Sequence, residues 1–205
     1  MATPAPSRLS PLQPSDWIAA ALARLSREGI DSVCVEVLAR DLHVSKGSFY
    51  WHFKDRDDLL VRLLERWEAA EMEWLLGEEP EAAGSARESS NAAARWARFV
   101  ARSAEPERMR TEFGIRTWAR RDERVAQRLA HLETRTARVV AGILRDIGFA
   151  PETAELWSQI ALLVRLGWID RAIRSGEFQH VSLGLGDLLS ELVLAASARA
   201  VSENR

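Results

Sequence analysis

The stretch Val35–Phe53 allows very few folds. A short apolar run (Val35, Leu38, Ala39, Leu42) is followed by a tight turn at His43–Val44. A second short helix is then expected from about Lys46 to Phe53, with Ser45 placed to cap it. Two short helices that cross steeply need a small residue where they touch, and Ala39 supplies it. The turn needs a residue that tolerates positive φ. Glycine is usual, and His43 holds the place here. In such a helix-turn-helix the second helix enters the major groove of DNA with its N-terminus first. Its polar side chains are therefore the candidate contacts. Lys46 suits a guanine edge or a phosphate, and Ser48 suits either. Tyr50 and His52 suit phosphates, and Trp51 suits a thymine methyl or the sugar backbone. Lys54 and Arg56 open the next helix, whose N-terminus itself favours a phosphate. The plainer reading of 46–52 is a structural hairpin with incidental polar residues, but small contact, turn and polar face all agree on the other. Tyr50 also reads as a half-buried core residue, and the two roles can coexist in one side chain.

The surrounding pattern is helical. Ile18, Ala21, Leu22 and Leu25 share one face of a helix expected to start near Ser15, its candidate N-cap after Pro14, and to stop at Gly29. A longer helix is expected over about Asp55–Leu76. Gly77–Glu88 has Gly, Pro, Glu and Ser without period, and reads as a loop. Helices follow near Asn91–Ala104, Glu107–Trp118 and Asp122–Ile147. The last of these carries a sustained stripe from Val125 through Leu129, Leu132, Thr136, Val139 and Ile143 to Ile147. Gly148 ends it, and Pro151 opens a helix that runs to about Ser175. A final helix is expected over Leu185–Val201. No period-2 run of β-branched residues occurs, so the expected fold is all-α. The division is a flexible arm over 1–14, a three-helix head over 15–60 and a larger helical body over 61–205.

Composition narrows the function. The chain has 205 residues, 47% of them hydrophobic, so a real core can form. Net charge is only -2, so any DNA contact must come from a local patch. Lys46 and Lys54 are the only lysines in the sequence, and both lie in the segment singled out above. The lone cysteine, Cys34, rules out a disulfide within the chain and suits a reducing compartment. It reads as a small apolar filler before it reads as a redox sensor. The N-terminus lacks the apolar segment of a signal peptide, and Ile160–Val164 is far too short to cross a membrane. A cytoplasmic protein is expected. His131 and His180 are isolated, and no metal-ligand or nucleophile spacing occurs, so no metal, cofactor or catalytic residue is expected.

The residues LARDLHVSKGSFYWHFKDRDDLL (Leu38–Leu60) closely resemble the signature of the TetR-like (tetracycline-repressor-like) family of bacterial transcriptional regulators. The clear match covers roughly Trp17–Leu64, and the rest matches in plan. Two positions depart from the family pattern. Cys34 stands where a capping threonine is usual, and His43 stands where the turn glycine is usual. The resemblance implies a homodimer whose two heads read a palindromic operator on double-stranded DNA. It also implies a body that binds a small effector and, when occupied, releases the operator.

Two further expectations rest on that resemblance. Trp96, Phe99, Phe113, Trp118, Trp157 and Trp168 are candidates to line a pocket for a small apolar or aromatic effector, against the plainer reading that each is ordinary core. The last two helices are apolar on more than one side, which suits a four-helix dimer interface or burial within one chain. The arginine runs, such as Arg120–Arg121–Arg124, read as solvated helix faces. Two rival functions remain: a small-molecule-binding module with an inactive DNA head, and an all-α enzyme. Intact Lys46, Tyr50, His52 and Lys54 oppose the first, and the absence of paired carboxylates or metal ligands at helical spacing opposes the second.

Overall fold

The computed structural model describes residues 12–76 and 85–176. Every regular element among them is helical. Helix α1 spans Pro14–Glu28, and a single 3-10 turn, Ile30–Ser32, follows it. Then come α2 (Val35–Asp41), α3 (Lys46–Phe49), α4 (Arg56–Leu76) and α5 (Ser85–Ser103). The order ends with α6 (Pro106–Ala119), α7 (Glu123–Ile147) and α8 (Pro151–Ser175). Part of the expected loop Gly77–Glu88 is therefore helix, because α5 already begins at Ser85. The expected arm, apart from its last residues, and the expected final helix lie outside the described residues.

Local chemistry explains the boundaries. Gln13, not Ser15, is the cap of α1: Pro14 is the first helical residue, Ser15 lies inside the first turn, and the Gln13 N–H donates to the Asp16 carboxylate at 2.7 Å. Proline suits that place because its missing N–H would have no partner there. Gly29 (φ 83) ends α1, and Gly148 (φ 116) ends α7. Helix α7 is capped by Asp122, whose carboxylate accepts the Arg124 N–H at 3.0 Å. Helix α4 is capped in the same way: the Asp55 carboxylate accepts the Asp58 N–H at 2.9 Å.

Trp17, Phe49 and Phe53 close the core of the head. The Trp17 and Phe49 rings meet edge-on at 5.3 Å, and Phe49 stacks on Phe53 at 5.2 Å. Helix α4 runs unbroken through residue 60 into the body, and its buried Leu59, Leu60, Leu63, Leu64 and Trp67 belong to the same hydrophobic cluster as the head core. Helix α7 packs on α5 and α8, and α6 packs on α1. Body and head thus share one continuous apolar interior. Among the described residues no helix is long and apolar enough to cross a membrane.

Candidate nucleic-acid interface and internal cavity

The turn between α2 and α3 is a Schellman motif built on a histidine. His43 sits at φ 55, in the left-handed region. Its N–H donates to the Arg40 carbonyl at 3.2 Å, and the Val44 N–H reaches back to the Ala39 carbonyl at 2.9 Å. These two bonds satisfy carbonyls that the end of α2 would otherwise leave open. Histidine is among the non-glycine residues that tolerate this conformation. Cys34 precedes α2 without capping it, and its thiol donates instead to the Asp31 carbonyl at 3.3 Å.

Helix α3 is shorter than expected. It covers Lys46–Phe49, and Tyr50, Trp51 and His52 form a turn, with the His52 N–H closing on the Phe49 carbonyl at 2.9 Å. The Ser45 side chain makes no capping bond, contrary to expectation. Phe49 is fully buried between Trp17 and Phe53, which anchors the turn and turns its neighbours outward. Trp51 is 87% exposed and Tyr50 56%. The Tyr50 ring still leans edge-on against Phe49 at 5.2 Å, so both sequence readings of Tyr50 hold at once. Lys46 and Lys54 are exposed, and Ser48 and His52 are half-buried on the same segment. The Lys46 ammonium pairs with the Glu36 carboxylate of α2, which raises the lysine pKa and lowers that of the glutamate.

Arg56, a candidate phosphate contact, bonds within the head. Its Nε donates to the Val33 carbonyl at 2.6 Å and a terminal nitrogen to the Ile30 carbonyl at 2.9 Å. The guanidinium ties the start of α4 to the segment before α2. The Asp55 carboxylate caps the N-terminus of α4, and Asp57 and Asp58 occupy its first turn.

The body holds a partly open cavity of about 850 Å³. Of the six aromatic candidates only Phe99 lines it. Trp96 is buried behind Phe99, at 5.7 Å between ring centres. Phe113 and Trp168 pack in a separate small cluster with Met109, Ile169 and Ala172, and Trp157 is half-buried against the main core. Trp118 borders a different cleft, of about 340 Å³, where α7 meets the segment after α1 and the start of α4. The aromatic walls of the cavity come instead from Trp67 and Trp74. Trp67, Glu71 and Trp74 recur at helical spacing on α4, whose aromatic residues were not among the candidates.

Charge also enters this cavity. Glu112 is 3% exposed and accepts bonds from both Arg116, at 2.8 and 3.0 Å, and Arg165, at 2.8 Å. Burial pushes the Glu112 carboxyl up, but the charges of Arg165 and Arg116 win and hold its pKa below the ordinary value. Glu71 pairs with Arg108, and there burial wins on both partners: the glutamate is raised and the arginine lowered. Among the described residues no group of three or more His, Cys, Asp or Glu could hold a metal ion.

Residues 18–63 match the profile of the family described as bacterial regulatory proteins, tetR family. The HTH-type transcriptional regulator AcrR of Shigella flexneri is 37% identical over 51 residues, which are 25% of this chain and 22% of that protein. The match thus spans under a quarter of that relative. Among solved structures, a transcriptional regulator from Rhodococcus sp. Rha1 superposes with a TM-score of 0.68 at 18% identity, over 91% of this chain and 98% of that one. The transcriptional regulator FadR of Bacillus subtilis, solved in complex with stearoyl-CoA, gives a TM-score of 0.64 at 17% identity, over 89% and 98%.

Proposed function

We propose that this chain, a TetR-like protein by its head and its fold, is a sequence-specific DNA-binding transcriptional regulator that represses from a palindromic operator and lets go when a small molecule fills its body. The observation that carries this reading is the outward row on the turn after α3. A tryptophan that is 87% exposed has no part in the core, and it stands between Tyr50 and His52 with both lysines of the chain nearby. Lys46, Ser48, Tyr50, Trp51, His52 and Lys54 are the proposed DNA contacts. Arg56 is left out, because its guanidinium holds the head together.

The head is taken as residues 15–60 and the effector-binding and dimerising body as 61–205. Leu156 and Leu163 lie on one face of α8, two turns apart, and are exposed. Such a pair supports a two-fold helical interface with a second copy. Two heads about one turn of DNA apart would then read a palindrome in the cytoplasm, where the chromosome is. The cavity is of the size that small ligands fill. Bacillus subtilis FadR, whose fold is similar, was solved with stearoyl-CoA, which supports a ligand-binding role for the body. No catalytic role is assigned.

The test is capture of fragmented genomic DNA by the purified protein, followed by sequencing of what it retains. Recovery of a few fragments sharing one short palindrome is the expected result. Random recovery, unchanged across salt concentrations, would mean an inactive head and a ligand-binding module in its place.

A further inference from the structure

The carboxylates of the head have distinct partners. Asp16 and Asp55 serve helix N-termini, and Glu28 and Asp41 hold Arg24. Asp31 meets Arg121, and Asp58 meets Arg62. Glu36 differs from these. Among the described residues it is the head carboxylate whose partner is the side chain of a proposed DNA contact, Lys46. Glu36 lies in the first turn of α2, ten residues before Lys46 of α3, so the pair spans both helices of the motif.

Stability gives little reason for this pair. The Glu36 side chain is 64% exposed and that of Lys46 49%, and such pairs add little to a fold. Its consequence falls on DNA instead. Lys46 is the first residue of α3, and the second helix of such a motif enters the major groove N-terminus first. The carboxylate held on Lys46 therefore stands at the groove with it. A duplex repels a carboxylate there, whatever its sequence. While the carboxylate keeps the ammonium, it also withholds that cation from the phosphates. A donor on a base edge relieves both. The donors in the major groove are the exocyclic amines of cytosine and adenine. Adenine sets its N7 acceptor beside the amine, which opposes a carboxylate, whereas cytosine presents N4 alone.

We propose that Glu36 is a specificity-determining residue: in the operator its carboxylate accepts from the N4 amine of a cytosine, and Lys46 passes to a phosphate. On other sequences the carboxylate stays on Lys46, and neither contributes. This rests on the reading of the head as a sequence-specific DNA binder. The pair lowers non-specific binding more than operator binding, and specificity is the ratio of the two. A glutamine at this place still offers cytosine an acceptor, but it also offers other bases a donor and lets Lys46 go. Loss of the charge should therefore raise affinity for all DNA and narrow the ratio.

The experiment uses the full chain and a library of duplexes with a randomised core. Wild type, Glu36→Ala and Glu36→Gln each select from it, and the retained duplexes are sequenced. The wild type is expected to select a palindrome with a cytosine in each half-site that Glu36→Ala ceases to prefer, while the other positions are kept. Fluorescence anisotropy then compares the selected duplex, the same duplex with that cytosine replaced by thymine, and an unrelated duplex. The replacement should cost the wild type about fivefold in affinity and Glu36→Ala nothing. Glu36→Gln should bind the selected duplex more tightly than the wild type does, and the unrelated duplex more tightly by a larger factor. If Glu36→Ala does not fold, Glu36→Gln reads the ratio and the replaced cytosine reads the contact from the DNA side. A Glu36→Ala consensus identical to that of the wild type, or equal wild-type affinity for both bases, would overturn the proposal and leave the head a DNA binder. No consensus for the wild type would remove the DNA-binding reading as well.

Discussion

A Cβ on Gly114 would lie 2.9 Å from the carbonyl oxygen of Leu25 and 3.1 Å from its Cγ. Helix α6 thus touches the last turn of α1 backbone to side chain, and it does so through the one residue type that leaves room. The contact joins body to head on the opposite business of the same helix: Glu112, two residues earlier, faces Arg165 of α8. A displacement of α6 at its cavity side therefore presses on the head.

Gly114→Ala tests that contact. Alanine raises helix propensity by about 1 kcal/mol. Overpacking against an immobile backbone oxygen costs about 1–3 kcal/mol. A net loss on the order of 1 kcal/mol in urea unfolding is expected, together with altered operator affinity. A variant of undiminished stability would show that α1 and α6 separate freely.

Arg56→Ala separates a structural from a DNA-binding role. The replacement strips the Val33 and Ile30 carbonyls of a charged donor. A loss of about 2 kcal/mol is expected, with lysine a poor substitute because it lacks the fork. Weakened DNA binding at full stability would return Arg56 to the phosphate contacts.

Lys46→Ala should leave the fold intact and weaken operator binding. The slope of log affinity against log salt should fall by about 1, as one phosphate contact is lost. Glu36→Gln should do the reverse, since it releases the Lys46 ammonium from its carboxylate partner. Unchanged slopes in both variants would displace the assigned surface.

His43 occupies a left-handed position, φ 55, that glycine adopts at no steric cost. His43→Gly should be tolerated within about 0.5 kcal/mol, because the relief of strain offsets the extra freedom of the unfolded chain. His43→Val, β-branched, should destabilise by more than about 1 kcal/mol. Thermal melting that ranks valine with glycine would contradict the turn geometry.

Acid should unlock the cavity wall. The pKa of Glu112 is lower in the fold than in the unfolded chain, so its stabilisation is full above the ordinary carboxylate range. That stabilisation is lost as pH falls through the lowered folded value. Glu71 is raised by burial and works in the opposite sense, disfavouring the fold once it ionises. Glu112→Gln should therefore be less stable at neutral pH but show a flatter acid limb in melting temperature against pH. An unchanged acid limb would place the acid-sensitive point elsewhere.

The head was legible because its determinants are local. Apolar spacing, a small residue at Ala39, a turn residue able to reach positive φ, and Phe49 between polar neighbours together leave little choice of backbone. The same holds for the helix ends at Gly29, Gly148 and Pro151. Even here, tertiary bonds decided what sequence could not: Arg56 reads as a free cation until the Val33 and Ile30 carbonyls come within reach.

The cavity was not legible. An aromatic residue in an amphipathic helix has the same pattern whether it faces core or void, and five of the six candidates are not among the residues that line the cavity. What fills its inner wall depends on pairs such as Glu112 with Arg165, fifty-three residues apart. The sequence by itself determined the helices, their order and the polar row of the head, because these follow from periodicity and backbone conformation within a few turns. Only the tertiary structure decided which side chains meet across helices and which charges share a low-dielectric interior, because long-range packing, not local pattern, sets those distances.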